Sequence, residues 1–383
     1  MKTIRLYDLD SHMSEFEATV VDCTEKDGEY IIILDQTAFF PEGGGQKADG
    51  GNIDGIAVTD VQIENGVIFH KAASPVQAGK KVHCEIDFTE RFRRMQNHSG
   101  EHVISGIAHK LYGCENVGFH LSDEVTIDFD KELNEKQIRN IENLANEAVY
   151  KNLSITAEYP DSKTLESLEY RSKLDLTEDV RIVTVEGIDV CACCAPHVSR
   201  TGEIGIIKIL SFMRHRGGVR LFVKCGSDAL KDYQTKCENI SKISVTLCSK
   251  PNETAEVFEK FYNDNLELKQ KLGKLSRELS GLKAESIEDT EGNIVIFEED
   301  ADMNTLRKTV LDAAVHAGGL CAGFSGNDSK GYCYVVTSKT RGVRSLAKEI
   351  NTALSGKGGG SEELIQGSVK ATKEEIERFM ESV

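Results

Sequence analysis

Asn97–His102 reads N-H-S-G-E-H and Cys193–His197 reads C-C-A-P-H, and these two stretches decide how the chain must fold. Each places two metal-ligating side chains four positions apart, His98 and His102 in the first and Cys193 and His197 in the second. On a helix, this spacing sets both imidazoles on one face, one turn apart. Tetrahedral zinc takes nitrogen and sulfur donors, so the two pairs together would supply a full ligand set for Zn²⁺. About 95 residues separate the pairs, and the fold must therefore bring distant segments together around one ion.

The surroundings of these pairs resemble a known family. N-H-S-G-E-H-V-I-S-G is similar to H-T-A-T-H-L-L in the editing domain of alanyl-tRNA synthetase, and D-V-C-A-C-C-A-P-H-V-S-R-T-G-E-I-G (Asp189–Gly205) resembles its E-L-C-G-G-T-H-V-x-x-T-G-x-I-G. L-D-Q-T-A-F-F-P-E-G-G-G-Q-K-A-D-G-G (Leu34–Gly51) looks like the glycine-rich motif that precedes this domain in the synthetase and in the free-standing AlaX editing proteins. G-K-G-G-G-S-E-E-L-I-Q-G-S (Gly356–Ser368) looks like the final domain of the synthetase, which DHH-type phosphoesterases share. The motifs stand in the family's order, and the long form of AlaX is the best match.

The resemblance implies a trans-editing hydrolase that uses zinc. Its substrate would be tRNA(Ala) mischarged with serine, with glycine as the second candidate, and the preference between the two stays open. The C-x3-H spacing selects Cys193 as the thiolate ligand. Cys191 and Cys194 stay open as alternative ligands or as ordinary buried thiols, and at Cys194 the sequence departs from the family, which has glycine there.

Three further residues carry over from the family pattern. Thr37 resembles a family threonine linked to recognition of the serine hydroxyl, and a site that hydrogen-bonds this hydroxyl would reject alanine. Gly44 lies in the tri-glycine loop, where backbone without a β-carbon can approach a substrate closely. Asn116 stands where the synthetase has glutamine. Glu101, between the two histidines, is expected to point off the metal face and to be structural.

Charge argues against broad affinity for nucleic acid, because the net charge is −17. A tRNA partner therefore requires local basic patches. The segment Ile204–Ser227 is basic and contains no acidic residue, and a second basic segment spans residues 339–357. The residues that we expect to contact tRNA phosphates are Arg214, Arg216, Arg220, Lys339, Arg341 and Lys357.

Composition indicates an ordinary soluble protein. No run of about 18 apolar residues indicates a membrane span, and the N-terminal sequence lacks the apolar core of a signal peptide. The eleven cysteines are an odd number and are mostly scattered. Without an export signal, reduced thiols and metal ligation are favoured over disulfides, which predicts a cytoplasmic protein.

The pattern along the chain predicts an α+β protein of four parts. Residues 1–90 alternate as short strands broken by glycine turns and predict a small β-barrel. Residues 91–250 mix helical and strand patterns and carry both ligand pairs, as expected for the zinc-dependent editing domain. Residues 289–383 predict a C-terminal α/β module. The chain opens directly at the barrel, and we therefore expect that it does not charge tRNA.

Residues 251–288 predict a long helix linker. Its apolar residues recur at alternating spacings of three and four, which is a heptad seam, with Asn265 as a polar register position. The seam predicts a homodimer or a domain spacer, whereas packing within the helix's own domain is the simpler alternative. The seam residues are Phe258, Phe261, Asn265, Leu268, Leu272, Leu275, Leu279 and Leu282.

Two other functions compete with editing. A tRNA-binding or dimerising module with a purely structural zinc would need the same ligands but release no amino acid. A phosphoesterase is suggested by the C-terminal motif, although the sequence contains no D-H-H triplet. The glycine-rich loops match neither the P-loop nor the Rossmann pattern, so binding of a nucleoside triphosphate is not expected.

Overall fold

The structure, a computed structural model, describes residues 2–122, 124–172 and 180–383. Contacts within the chain divide it into two units, Met1–Ser241 and Lys242–Val383. Both units combine helices with sheets, which confirms the mixed α+β class. The segment expected to form the barrel and nearly all of the segment expected to bind metal share the first unit.

A closed barrel occupies the N-terminal part of the first unit. This part contains α1 (Leu6–Leu9) and the strands β1 (Ile4–Arg5), β2 (Glu15–Lys26), β3 (Glu29–Leu34), β4 (Gln36–Thr37), β5 (Gly51–Ile53), β6 (Ile56–Glu64), β7 (Val67–Ala72) and β8 (Lys81–Ile86). The barrel closes in the order β2-β3-β7-β6-β5-β8. Turns at Asp27-Gly28, Asp54-Gly55 and Asn65-Gly66 have positive φ at both residues. This geometry suits a two-residue hairpin, because its twist matches that of the paired strands.

The remainder of the first unit supports the metal-ligand motifs. Its elements are α2 (Phe88–Tyr112), β9 (Asn116–Leu121), β10 (Val125–Phe129), α3 (Glu135–Lys151), β11 (Ile155–Glu158), α4 (Ser162–Ser167), β12 (Ile182–Val185), β13 (Asp189–Ala192), a 3₁₀ turn (Thr201–Ile204), β14 (Ile207–His215), β15 (Gly218–Cys225) and α5 (Gly226–Thr246), which crosses the boundary. One antiparallel sheet has the order β14-β15-β10-β9, and another has the order β11-β12-β13. The buried face of α2 packs in the same apolar core as α3 and these sheets.

Capping residues set the ends of the two main helices of this unit. The Asp87 side chain accepts a hydrogen bond from Glu90 N at the start of α2, and Gly113, with φ of 61°, follows its last turn. Asn134 and Gln137 form a capping box at the start of α3. These caps fix where α2 and α3 begin.

The second unit is built on one five-stranded sheet. Its elements are a 3₁₀ turn (Pro251–Glu253), α6 (Thr254–Glu285), β16 (Ile294–Glu298), α7 (Met303–Ala313), β17 (Leu320–Asn327), β18 (Gly331–Ser338), α8 (Leu346–Ala353), β19 (Lys357–Gly360), β20 (Leu364–Val369) and α9 (Lys373–Glu381). The sheet order is β16-β17-β18-β20-β19, with only the β16–β17 pair parallel. Phe324 and Tyr334 are fully buried in its core.

The α6 helix leaves its heptad seam uncovered. The apolar seam residues, from Phe258 to Leu282, are each between 53% and 69% exposed. α6 contacts α7, but this contact does not bury the seam. Among the described helices, none has both the length and the apolar character that crossing a membrane requires.

Candidate metal centre and adjoining cavity

Four metal-ligating side chains converge in the first unit. α2 presents His98 and His102 on its buried face, and the segment after β13 presents Cys193 and His197. The ligand atoms of all four lie within 4.8 Å of one another. Cys193 Sγ lies 3.5 Å from His98 Nε2 and 3.3 Å from His197 Nε2. The fold therefore brings the two sequence pairs together.

The donor types fit a tetrahedral zinc ion, and two of the donor–donor distances have the length that such an ion requires. Zinc–nitrogen bonds of about 2.0–2.1 Å and zinc–sulfur bonds of about 2.3 Å place neighbouring donors roughly 3.3–3.8 Å apart. The two Sγ–Nε2 distances given above, 3.3 and 3.5 Å, fall within that range. Three imidazoles and one thiolate also match the softness that zinc prefers. The residues present are therefore suited to hold zinc.

Each imidazole is oriented by a partner at Nδ1. His98 Nδ1 lies 3.3 Å from Gln46 Oε1, and His102 Nδ1 lies 2.9 Å from Asp189 Oδ2. His197 Nδ1 lies 3.0 Å from Ser99 Oγ. Amide and carboxylate oxygens only accept hydrogen bonds, so His98 and His102 donate from Nδ1 and turn Nε2 toward the centre. Such partners commonly fix the ring orientation of metal-ligating histidines.

Asp189 is itself held in place by Arg171 and by the approach of β13 to α2. Arg171 donates to both carboxylate oxygens of Asp189, each at 2.8 Å. Although burial opposes it, hydrogen bonds from His102 and Arg171 lower the pKa of Asp189 to about 2. A β-carbon at Gly106 would lie 2.7 Å from Asp189 Cβ, so glycine at this position allows the strand to reach the helix.

Charges within the cluster favour a thiolate at Cys193. Burial alone would raise its pKa, but the neighbouring His98 and His197 together hold the pKa of the Cys193 thiol well below its usual value. Burial likewise opposes ionisation of His102, yet Glu101, Asp189 and Cys193 raise the pKa of His102 well above its usual value. Burial lowers the pKa of His197 to about 3. The cluster thus offers a thiolate and a neutral imidazole at neutral pH.

The two other cysteines of the motif occupy different surroundings. Cys191 groups with His102 and Asp189, and burial raises the pKa of its thiol to about 11. Cys194 lies beside the glycine-rich loop, where its Sγ is 3.4 Å from the position that a β-carbon on Gly44 would take. Burial raises the pKa of the Cys194 thiol as well. The geometry and the charges therefore favour Cys193 over both alternatives.

A cavity of about 520 Å³ adjoins three of the four donors. This volume is within the ordinary range for a small-molecule site. His98, His102 and Cys193 lie on its wall. The other lining side chains include three arginines, two carboxylates and three rings, namely Arg5, Arg171, Arg181, Glu101, Glu115, Phe119, His120 and Tyr159.

The glycine-rich loop forms part of the cavity wall, as expected for Gly44. Gly44 and Gly45 both line the cavity and have φ of 60° and 81°. A β-carbon on Gly45 would lie 2.7 Å from Phe119 O, so only glycine fits there without a shift. The loop is braced by Gln46, which reaches His98, and by Asp49, which is ion-paired with the fully buried Arg91 of α2.

Asn116 belongs to a buried network on the same wall. Its Nδ2 donates to Glu101 Oε1 and, at 3.2 Å, to Ser105 Oγ, while Ser105 Oγ donates to Glu101 Oε1 at 2.6 Å. Glu101 Oε2 lies 3.8 Å from His102 Nε2. The expectation that Glu101 points off the metal face is therefore wrong, because its side chain folds back toward the cavity.

Thr37 is placed apart from the cavity wall. It is fully buried, its Oγ1 lies 2.9 Å from His70 Nε2, and it accepts a hydrogen bond from Phe39 N. It is not among the residues that line the cavity. Its role in recognising a serine hydroxyl stays a prediction.

The basic residues expected to contact tRNA in the first unit differ in their availability. Arg214 is exposed and lies 3.3 Å from Glu132. Arg216 is exposed in the β14–β15 turn. Arg220 instead makes a two-point ion pair with Asp128, at 2.6 and 2.7 Å. Its guanidinium is therefore already engaged.

The three basic residues proposed in the second unit are all exposed. Lys339 and Arg341 follow β18, and Lys357 begins β19. Arg341 donates to Val383 O at 2.5 Å. Contact of any of these residues with tRNA stays a prediction.

Several residues at the cavity lie outside the sequence motifs. Arg5, Tyr159 and Arg181 line it, and Arg171 holds Asp189. No spacing relates them to the histidines, so sequence alone gave no signal. Asp189, in contrast, is part of the quoted cysteine motif, and its place two residues before Cys191 could have suggested a role beside the metal ligands.

Two family models match the chain. Residues 180–223 match the model described as the second additional domain of threonyl and alanyl tRNA synthetases. Residues 10–90 match the model of class II (A) tRNA synthetases. The first match includes Cys193 and His197, and the second includes the barrel and its glycine-rich loop.

Similar proteins cover nearly the whole chain. The alanyl-tRNA editing protein AlaX-L of Pyrococcus horikoshii is 30% identical over 97% of this chain and 96% of its own length. The alanine–tRNA ligase of Methanococcus vannielii is 32% identical over 98% of this chain but only 43% of its own length. That of Haloquadratum walsbyi is 33% identical over 80% of this chain and 35% of its own length. The chain thus spans about two fifths of the ligases that it matches.

Proposed function

Since this chain belongs to the family of alanyl-tRNA editing proteins of the AlaX-L form, we propose that it is a trans-editing hydrolase for mischarged tRNA(Ala). Water adds its oxygen to the acyl carbon of the ester, the bond to the terminal ribose oxygen breaks, and the products are the free amino acid and uncharged tRNA. The proposed substrates are Ser-tRNA(Ala) and Gly-tRNA(Ala). We place the reaction in the cytoplasm.

The observation that carries the proposal is the convergence of His98, His102, Cys193 and His197 beside an open cavity. These four residues would hold zinc. A zinc ion bound there supplies a Lewis acid for the ester carbonyl. Two observations support this ligand set. Hydrogen-bond partners at Nδ1 orient the rings of His98 and His102, and the neighbouring histidines lower the pKa of the Cys193 thiol.

The residues around the donors are suited to hold an aminoacyl end. Gly44 and Gly45 give a wall on which backbone can approach the substrate closely. Asn116 would hold the Glu101 side chain of the cavity wall in place, because Asn116 and Ser105 are hydrogen-bonded to each other and to Glu101. Thr37 is proposed to act on amino acid choice from within the barrel rather than as part of the cavity lining.

Binding of the tRNA body requires cations away from the cavity. Arg214 and Arg216 are the better candidates in the first unit, because Arg220 is engaged by Asp128. Lys339, Arg341 and Lys357 supply exposed charge in the second unit. We further propose that the uncovered seam of α6 joins two copies of the chain into a homodimer.

Metal content and turnover, measured on one preparation, test the proposal. The protein should bind one zinc and release serine from Ser-tRNA(Ala), and the metal-free protein should not. His98→Ala should lose both properties. His109→Ala changes an exposed histidine on the same helix and should keep both.

One observation favours a second candidate, a tRNA-binding module with a structural zinc. Four protein donors fill a tetrahedral shell, as structural zinc sites do, whereas catalytic sites keep a position open. Zinc-loaded protein that binds tRNA(Ala) but releases no amino acid above the metal-free control would establish this alternative and defeat the hydrolase.

A further inference from the structure

Glu101 is a buried carboxylate with one oxygen directed to the cavity. The side chain is 5% exposed and lies on the cavity wall. Among the described residues, the hydrogen bonds to this carboxylate are given to Oε1, by Asn116 and Ser105. Oε2 lies 3.8 Å from His102 Nε2. Asn116 and Ser105 thus hold Oε1 in place. Oε2 lies beside the ring nitrogen of His102, one of the proposed metal ligands.

The other carboxylates near the cluster are already engaged or exposed. Asp189 accepts from both Arg171 and His102. Glu115 is 51% exposed and lies 2.8 Å from His109 Nδ1. Glu101 is therefore the buried carboxylate of the described cavity wall whose hydrogen bonds all go to one oxygen, while the other, Oε2, has the His102 ring as its charged neighbour at 3.8 Å.

The proposed substrate carries a cation at a matching distance. The α-nitrogen of an aminoacyl ester is two covalent bonds from the carbonyl carbon, which is about 2.5 Å. A carbonyl directed at the four donors therefore brings the α-ammonium group close to them as well. A carboxylate 3.8 Å from His102 Nε2 is therefore within reach of that cation, and a charge-assisted hydrogen bond is among the strongest polar contacts.

We propose that Glu101 binds the α-ammonium group of the aminoacyl ester and selects substrates whose amino group is free. This inference rests on the proposed function. Esters with a blocked amino group, such as N-acylated aminoacyl-tRNA, lack this cation. They would leave a buried carboxylate unpaired, which is costly. Glu101 is thus a specificity residue for the substrate's amino group rather than for its side chain.

Binding of two probes tests this assignment without turnover. The probes are 3′-deoxy-3′-(L-serylamino)adenosine, whose amide resists hydrolysis, and its N-acetyl counterpart, each titrated calorimetrically into zinc-loaded protein. The unaltered protein should prefer the free amine by roughly 10- to 100-fold. Glu101→Gln keeps the acceptor for Asn116 and Ser105 but removes the charge, and should bring the ratio near unity. Glu115→Gln removes a carboxylate from the same cavity and should preserve the ratio.

Hydrolysis of Ser-tRNA(Ala) and N-acetyl-Ser-tRNA(Ala) gives a second readout. Glu101→Gln should lower kcat/KM on the first substrate and leave the second nearly unchanged. Equal affinity of the unaltered protein for both probes would overturn the proposal without any variant. So would an equal loss on both substrates, or loss of zinc from Glu101→Gln. Absence of all hydrolysis by the unaltered protein would instead defeat the hydrolase itself, whatever the probe ratio shows.

Discussion

The thiol at Cys193 lies among three imidazoles, whereas its two neighbours in the motif do not. We expect Cys193→Ser to lose zinc, because the variant removes the sulfur donor whose pKa the histidines lower. Cys191→Ser and Cys194→Ser should retain zinc, because both thiols have raised pKa values and lie outside the group of four. Elemental analysis after dialysis measures the difference. Zinc retained in Cys193→Ser but lost from one of the other variants would reassign the ligand.

Protonation of the buried His70 should make the stability of the barrel depend on pH. A single substitution can separate this contribution from those of other groups. Burial lowers the pKa of His70 from 6.5 to about 4, so the unfolded chain takes up a proton there before the folded protein does. Stability is then fully present above pH 6.5 and falls as the pH drops toward 4. The shift corresponds to roughly 3 kcal/mol in the free energy of unfolding.

His70→Gln provides the matched comparison for this effect. Glutamine can still donate to Ile32 O and accept from Thr37, the two partners of His70, but it does not titrate. Denaturant unfolding of both proteins at pH 7 and pH 4 should show the larger loss in the unaltered protein. Parallel losses would contradict the assignment.

Gly45 is expected to be intolerant of a side chain. Gly45→Ala should cost more stability than Gly55→Ala, although the two glycines have nearly the same φ, 81° and 80°. Left-handed backbone costs alanine about 1–2 kcal/mol at either position. At Gly45 the β-carbon would also meet Phe119 O at 2.7 Å, whereas at Gly55 it would meet nothing within 4 Å. Chemical denaturation measures both, and equal costs would refute the close approach of loop and strand.

At the level of single residues, the sequence predicted the four donors because a ligand pair leaves a short, regular spacing. For Gly44, the resemblance and the missing β-carbon predicted a place beside the substrate, and the structure places Gly44 on the cavity wall. The residues that orient the imidazoles could not be found in this way. Gln46 and Asp189 approach the histidines from other elements, at separations of 52 and 87 residues, and such contacts exist only after folding.

Among the helices and strands, α6 has the exposed surface whose proposed role, dimer formation, can be tested most directly. Leu272→Glu together with Leu279→Glu should convert the proposed dimer to monomers, because both side chains are exposed on the seam, at 69% and 55%. The monomer should keep its free energy of unfolding, because both leucines are already exposed in the single chain. Analytical ultracentrifugation measures the association. Lys274→Gln removes a charge from the same helix at a heptad c position, away from the seam and its flanking positions, and should leave the dimer intact. An unchanged mass in the double variant would remove the seam from the interface.

The sequence predicts where a helix lies more closely than it predicts the residue at which that helix begins. The sequence pattern predicts a helix from Glu90 to about Tyr112, whereas α2 begins two residues earlier because Asp87 caps it. The pattern predicts a second helix from about Lys131, whereas α3 begins at Glu135 because Asn134 forms its capping box. Periodicity reports which face is buried, whereas the start depends on a single capping side chain.

For the whole molecule, the second unit is proposed to serve tRNA binding and dimer formation rather than hydrolysis. A protein ending at Lys250 should therefore deacylate Ser-tRNA(Ala) but bind the tRNA more weakly, and it should be monomeric. All four donors and the residues lining the cavity lie before Ser241. Filter binding, turnover and sedimentation of the truncated protein check the three expectations. Undiminished tRNA affinity would leave the second unit without the role proposed for it.

The division of the chain was harder to predict than its parts. Four segments were expected from composition and pattern, whereas contacts divide the chain into two units at Ser241. The barrel and the metal-ligand motifs share one unit, and contacts such as the buried Asp49–Arg91 ion pair join them. A local pattern cannot reveal such pairs, because it carries no information on which distant side chains neutralise each other.

The partners that hold the imidazole rings also govern which ion the cell can load into this protein. Magnesium and calcium are far more plentiful than zinc, but they require six or more oxygen ligands. A set of three nitrogens and one sulfur offers them almost nothing. Competition would thereby be reduced to the soft and borderline metals, and in the proposed hydrolase the supply of those metals would set how much of the protein is active.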